Sequence, residues 1–252
     1  MSRARVVAVA NQKGGVAKTT TTHALAAAIA ERGSRVLAVD LDPQACLTYS
    51  MGADPDTLDR SLHDVVLGRL CAGDVIIKDG DVHLLPATID LAGAEVHLLS
   101  KTGREYALRK ALAPLLDDYD AVLVDCAPSL GILTINGLTA AGEVLVPLQC
   151  ESLSHRGVGQ LLETIDDVRS YTNPDLVVRG VIATMFDGRT RLAHEVITSV
   201  REQYGLEVLE PPVPKSVRVA EAPASRHSIL DHAPRSKAAE AYRALAGEIF
   251  HS

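Results

Sequence analysis

The chain has 252 residues, 47% of them apolar, with few aromatics and no tryptophan, so the expectation is one large α/β domain over 1–252 with a core of Ala, Val, Leu and Ile. A net charge of −7 excludes nucleic-acid binding by bulk charge; any DNA contact needs a local basic patch. No stretch approaches the roughly 18 apolar residues of a membrane span, and the apolar run 6–10 is too short for a signal peptide and is ended by Asn11-Gln12-Lys13. Cys46, Cys71, Cys126 and Cys150 form no CxxC pair. A cytoplasmic protein with reduced thiols and no membrane partner follows as the expectation.

In chain order, the run 6–10 reads as a first strand. An Ala-rich helix follows over 19–32, closed by Gly33 as its C′ residue. Further apolar strands are predicted at 35–39, ending at Asp40; 82–85, stopped by Pro86; 121–124, ending at Asp125; 144–146, ending at Pro147; 177–183; and, more weakly, 206–209. Helical patterns fall at 62–67, 91–99, 105–116, 132–141, 157–171, 192–204 and 237–250. Near-continuous apolar strands alternating with helices predict a doubly wound, mostly parallel α/β sheet with helices on both faces. Ligands in such folds bind beyond the strand C-terminal ends. Pro211-Pro212-Val213-Pro214 reads as a loop across that edge.

The densest signal is Lys13-Gly14-Gly15-Val16-Ala17-Lys18-Thr19-Thr20, placed between the first strand and the first helix. Two glycines let the backbone wrap phosphate oxygens without a Cβ in the way. Lys18 supplies a point charge, Thr19 a hydroxyl for Mg²⁺, and the helix start offers unpaired N–H groups to an anion. The simple P-loop has Gly six residues before its lysine and again immediately before it; here those places hold Gln12 and Ala17, and an additional lysine, Lys13, opens the loop. If position 17 needs a positive φ, its alanine costs about 1 kcal/mol. With Lys18 in the cradle, Lys13 points away from its own phosphates and can neutralise one presented by a second subunit. Three acids, Asp40, Asp42 and Asp125, fall at predicted strand ends. Each alone reads equally well as a turn or capping residue; three in register with a phosphate loop point to a Mg-nucleotide site.

This loop resembles the deviant Walker A motif of the ParA/MinD ATPases. With Val39-Asp40-Leu41-Asp42-Pro43-Gln44 and Val124-Asp125-Cys126-Ala127-Pro128-Ser129, it is similar to the A, A′ and B motifs of Soj-type ParA partition proteins. Segments 86–95, 184–190 and 217–223 extend the resemblance over nearly the whole chain. The resemblance implies a P-loop NTPase using ATP and Mg²⁺ for slow, partner-stimulated hydrolysis. By it, Lys18 contacts the β- and γ-phosphates and Thr20 the α-phosphate, while Gly14, Gly15, Val16, Ala17 and Lys18 supply backbone N–H groups. Thr19 ligates the metal, Asp125 holds a metal-bound water, Asp40 supports that metal network, and Asp42 orients the hydrolytic water. Lys13 reaches across an ATP-dependent homodimer to the partner's nucleotide. Pro214-Lys215-Ser216 aligns with the adenine contact, with Ser216 where the family usually has Asn. A ParB-like partner, nucleoid association and non-specific DNA binding through Arg189, Arg191, Lys215, Arg218 and Arg226 are implied too.

The chain departs from the family at Ala17, at Ala45-Cys46, at Ala127 and over 152–156. Other readings remain open: an iron–sulfur-bridged relative using Cys126 with Cys46 or Cys150, a MinD-like membrane ATPase, an ATPase positioning a protein cargo, and a metabolic P-loop synthetase. The Ala-rich segment 235–250 fits docking on the domain better than lipid insertion, and no constellation announces the second substrate pocket a synthetase needs.

Overall fold

In the computed structural model, which describes residues 3–151 and 156–250, seven strands form one sheet in the order β3-β2-β4-β1-β5-β6-β7. They are β1 (Arg5–Val9), β2 (Val36–Leu41), β3 (Val82–Leu85), β4 (Ala121–Cys126), β5 (Glu143–Gln149), β6 (Val177–Thr184) and β7 (Val208–Leu209). Every neighbouring pair is parallel. β1 lies between β4 and β5 while the chain after it runs out to β2, so the loop leaving β1 opens at the point where strand order reverses. The helices are α1 (Lys18–Ala30), α2 (Cys46–Ser50), α3 (Leu62–Val66), α4 (Leu91–Leu99), α5 (Ala107–Leu112), α6 (Ile132–Ala140), α7 (Arg156–Tyr171), α8 (Arg191–Tyr204), α9 (Val217–Glu221), α10 (Ile229–His232) and α11 (Lys237–Ile249).

The alternation of side chains along each strand divides the core in two. Val7, Leu123, Leu145 and Ile182 pack with Leu25 and Ile29 of α1 and with Tyr242 and Leu245 of α11. Their neighbours Ala8, Val122, Val124, Val144 and Val146 face the opposite way, toward Leu91, Leu133, Leu161 and Val196. Both faces of the sheet are thus covered, which is why the strands read as continuous apolar runs. α11 lies on α1 through its buried Ala, Tyr and Leu residues, and its Tyr242 hydroxyl is 3.1 Å from that of Thr21. Among the described residues no helix is long and apolar enough to cross a membrane.

The structure departs from the sequence pattern at three places. The stretch read as one helix over 105–116 is a 3-10 turn, then α5, then a second 3-10 turn containing Pro114, which has no N–H to continue an α-helix. β5 does not stop at Pro147 but runs on to Gln149 beside β6. Pro147 is tolerated because β1 pairs with β5 only as far as Leu145, and the Asn11 side-chain amide donates to the Pro147 carbonyl at 2.7 Å. The short helices α2, α9 and α10, of four or five residues each, had no periodic signal. The divergent segment 152–155 lies outside the described residues.

Gly137 sets how closely α6 approaches the sheet. A Cβ there would stand 2.8 Å from Cys126 Sγ and 3.1 Å from Leu41 Cδ2, both buried side chains with nowhere to move. Gly137→Ala is expected to lower the unfolding free energy by about 1–3 kcal/mol, the usual cost of overpacking. Urea denaturation checks this, and an unchanged midpoint would mean the helix can lift at no cost.

Candidate nucleotide site

The loop after β1 is shaped from three directions. Buried Asn11 accepts from the Lys13 N–H at 3.0 Å, and the Thr184 hydroxyl at the end of β6 donates to the Val16 carbonyl at 3.1 Å. Gly15 and Ala17 both take left-handed conformations, with φ 74° and 67°. Ala17 stands at the start of α1, where no side chain caps the helix and no acid occupies the first turn. The N–H groups of Gly14, Gly15, Val16 and Ala17 donate to no acceptor among the described residues. A ring of such donors beside a helix N-terminus is a phosphate cradle. The buried Lys18 ammonium donates back to the Lys13 carbonyl at 3.1 Å. Burial lowers its pKa, opposed by the charge of Asp125.

Asp40 and Asp125 are register partners on β2 and β4, and Asp125 is also opposite Val9 on β1. Both are fully buried. Asp125 accepts from the hydroxyls of Thr19 at 2.7 Å and Thr22 at 3.3 Å. Burial, then the neighbouring charge of Asp40, pushes its carboxyl up to about 8. Asp40 accepts from the Thr48 N–H and hydroxyl, both at 2.7 Å, and from the Asp42 N–H at 3.2 Å; burial raises it to about 6. Its oxygens are therefore engaged by protein donors, and its visible effect is to fix Asp42 and the start of α2. Asp42 lies just past β2, half-buried, and accepts from the Gln44 N–H at 2.9 Å.

A cleft of about 540 Å³ gathers the loop residues Gly14, Gly15 and Ala17 to Thr20 together with Asp42, Pro214, Lys215 and Ser216. Val16 is buried beneath it, and Asp40 and Asp125 stand behind Asp42 and Thr19. The sequence reading did not foresee Thr48, Thr184, Met185, Val213 or Tyr242 at the site. The last four line the cleft, and only tertiary pairing brings them there: the Phe186 N–H bonds the Val213 carbonyl and the Lys215 N–H bonds the Phe186 carbonyl. Lys13 is half-buried, its ammonium 3.5 Å from Gln149 Oε1 at the end of β5.

The basic residues divide into two groups. Arg189, Arg191, Lys215 and Arg218 sit on segments that meet at the strand ends. Each faces an acid: Asp187 at 3.0 Å, Glu195 at 2.6 Å, Glu151 at 4.0 Å and Glu221 at 3.2 Å. Arg226 stands apart, over the Tyr49 ring of α2 at 4.9 Å and bonded to the Gly52 carbonyl. Cys126 and Cys150 are buried, with thiols pushed up by burial, whereas Cys46 and Cys71 are exposed. Among the described residues no three or more His, Cys, Asp or Glu side chains form a ready metal cage.

A phosphate loop at the switch point of a parallel sheet, with two buried carboxylates behind its threonine, defines a P-loop nucleotide-binding protein. Residues 4–178 match the family model described as an AAA domain. The chain is 47% identical to the chromosome-partitioning ATPase Soj of Thermus thermophilus, over 99% of this chain and 97% of that one. It is 41% identical to the sporulation initiation inhibitor protein Soj of Bacillus subtilis, over 97% and 98%. It also superposes on the crystal structure of cobyrinic acid a,c-diamide synthase from Mycobacterium smegmatis with bound ATP analogue and magnesium. That match has 53% identity and a TM-score of 0.87, covering 96% of this chain and 93% of the other. The chain belongs to the ParA/Soj family of partition ATPases.

The left-handed Ala17 is strained. Moving an L-residue out of that region recovers about 1–2 kcal/mol, and glycine returns about 0.4–1 kcal/mol of that through its freer unfolded chain. Ala17→Gly is expected to raise the stability of the nucleotide-free protein by about 0.5–1 kcal/mol. Chemical denaturation reads it directly, and a loss of stability would contradict the left-handed geometry.

Proposed function

We propose that this protein is an ATP-driven dimerisation switch that binds DNA without sequence preference and drives chromosome or plasmid partition with a ParB-like partner. The observation that carries this reading is the convergence of the phosphate loop with Lys18, Asp42 and the 214–216 segment on one cleft.

The residues present fit Mg²⁺. Asp125 is a fully buried carboxylate whose nearest positive charge is Lys18, and Thr19 holds a hydroxyl against it. Mg²⁺ takes one or two protein ligands and completes its shell with water and substrate phosphate, so Thr19 directly and Asp125 through water suffice. When bound, the ion offsets charge on the β- and γ-phosphates. Lys18 and the N–H groups from Gly14 to Lys18 hold the triphosphate, Thr20 meets the α-phosphate, and Pro214 and Ser216 border the base. Asp42 orients the attacking water, and Asp40, through the Asp42 N–H, holds that residue in place. Lys13 serves the partner's nucleotide, so the dimer forms only around ATP. Electrostatics aimed at the γ-phosphate carry the rate. Slow turnover suits a switch whose bound state is the signal.

In an Asp42→Ala background, which retains ATP, sizing chromatography is expected to show an ATP-dependent dimer that Lys13→Ala abolishes while nucleotide binding survives in part. A dimer peak unmoved by Lys13→Ala would sink the shared-nucleotide model.

DNA binding by Arg189, Arg191, Lys215, Arg218 and Arg226 is expected to need ATP and to fall steeply with salt. Removing one phosphate contact per protomer with Arg218→Ala lowers the slope of log K against log salt by about 0.9 per site lost. Filter binding to arbitrary duplex DNA at several salt concentrations measures this; equal retention with ADP counts against it.

A second reading rests on the 53% identity to the M. smegmatis synthase. On it, ATP would activate a carboxylate for amide formation. ATP turnover that depends on cobyrinic acid plus glutamine or ammonia would favour the synthase, and turnover raised by DNA with a ParB-like protein would favour the switch.

A further inference from the structure

A second cavity, of about 640 Å³, opens between the end of α3 with the turn 67–73 on one side and the stretch 98–115 on the other. It shares no lining residue with the nucleotide cleft. Its walls are apolar, built from Leu67, Leu70, Leu98, Ala107, Ala111 and Leu115 at the margin of the main core. Its rim is positive: Arg69, Lys101, Arg104 and Lys110 line it, and among the described residues no Asp or Glu does. Such one-sided charge is unexpected on a chain with a net charge of −7.

The four cations are not held alike. Arg69 lies 3.8 Å from Asp64, and Arg104 pairs with Glu105 at 3.0 Å, both acids outside the cavity lining. Lys101 donates to the Leu67 carbonyl at 2.8 Å, across the cavity mouth. The Lys110 ammonium stands 3.9 Å from where a Cβ on Gly103 would be, over a turn whose left-handed glycine keeps that space open. Neither lysine is ion-paired among the described residues. An apolar cleft of this size takes a drug-sized molecule, and its few polar groups set orientation and charge preference. Lysine stems extend the apolar wall while their heads remain at the rim.

We infer that this cavity binds a small amphipathic anion: an apolar body that enters between Leu70, Leu98 and Leu115 and ends in a carboxylate or phosphate held by Lys101 and Lys110. This does not depend on the identity of the cargo or on DNA binding.

The test uses the full chain and the fluorescent sulfonate 1-anilinonaphthalene-8-sulfonate, itself an apolar anion. It is displaced by decanoate, decyl phosphate or decyltrimethylammonium, each below its micelle concentration. Both anions are expected to displace the dye, with the ammonium compound at least about tenfold weaker, and the ratio of decanoate to decyl phosphate tells which head group is preferred. Lys101→Glu with Lys110→Glu is expected to weaken both anions by about tenfold or more while binding of an ATP analogue is unchanged. Should the double variant fold poorly, the exposed Lys110→Glu alone, together with amide shifts in the unmodified protein, gives the answer. Decanoate shifts confined to 65–73 and 98–115 support the site. Equal displacement by the ammonium compound, anion affinity indifferent to charge reversal, or shifts elsewhere overturn it.

Discussion

Two carboxylates, Asp40 and Asp125, are register partners on adjacent parallel strands and are both buried. Like charges so placed repel in a medium that screens poorly. The site answers this locally. Thr48 and the Asp42 N–H satisfy Asp40, Thr19 and Thr22 satisfy Asp125, and Lys18 supplies the nearest positive charge. Burial, more than their mutual repulsion, raises both carboxyls, Asp40 to about 6 and Asp125 to about 8. A Mg-nucleotide adds positive charge beside such a pair, and the threonine proposed to meet the metal, Thr19, is the one already bonded to Asp125.

The same acids tie the site to the surface. Asp40 fixes the Asp42 backbone and Thr48, and Thr48 in turn accepts from the Ala87 N–H ahead of α4. The next residue, Tyr49, lies beneath the Arg226 guanidinium. Displacing Asp42 thus disturbs a short chain of contacts from the cleft to the 226 turn. Ala45 repeats at α2 what Ala17 does at α1: a left-handed residue, φ 51°, at a helix start with no side-chain cap. Both helices are begun by a left-handed residue instead of a capping hydroxyl; at α1 the first N–H groups face the cleft, whereas at α2 the Thr48 N–H is taken by Asp40.

Much of this was legible in the sequence because it is local. Strands β1, β2 and β4 are continuous apolar runs, and the loop takes a backbone geometry that glycine spacing announces. Gly33 shows the positive φ expected after α1, at 85°. What escaped depends on partners remote in sequence. β5 passes through Pro147 only because β1 ends where it does, and the helix over 105–116 is broken by Pro114. The Thr48 bonds to Asp40 carry no signal in the sequence, because the turn after β2 has to form before the two meet. Tyr242 enters the nucleotide cleft from the far end of the chain, by way of α11 packing on α1.

The basic residues of the C-terminal third carry the least legible property, because their charge is spent at home. Arg191 and Arg218 pair with acids four and three residues away, and Arg189 doubly bonds Asp187, holding that carboxyl down to about 2. Exposed pairs of this kind are weak in water and exchange readily for a phosphate. The acids, however, would stay beside any phosphate that replaced them, so one copy of the chain would offer a duplex a surface close to neutral. A single copy on an acidic chain has little to hold a duplex with. Two copies held in fixed relation present twice the contacts for one loss of translational freedom, and the gain is multiplicative in affinity. On the proposed function, a dependence of DNA binding on dimerisation would follow from these ion pairs, with no change in the fold of either subunit required.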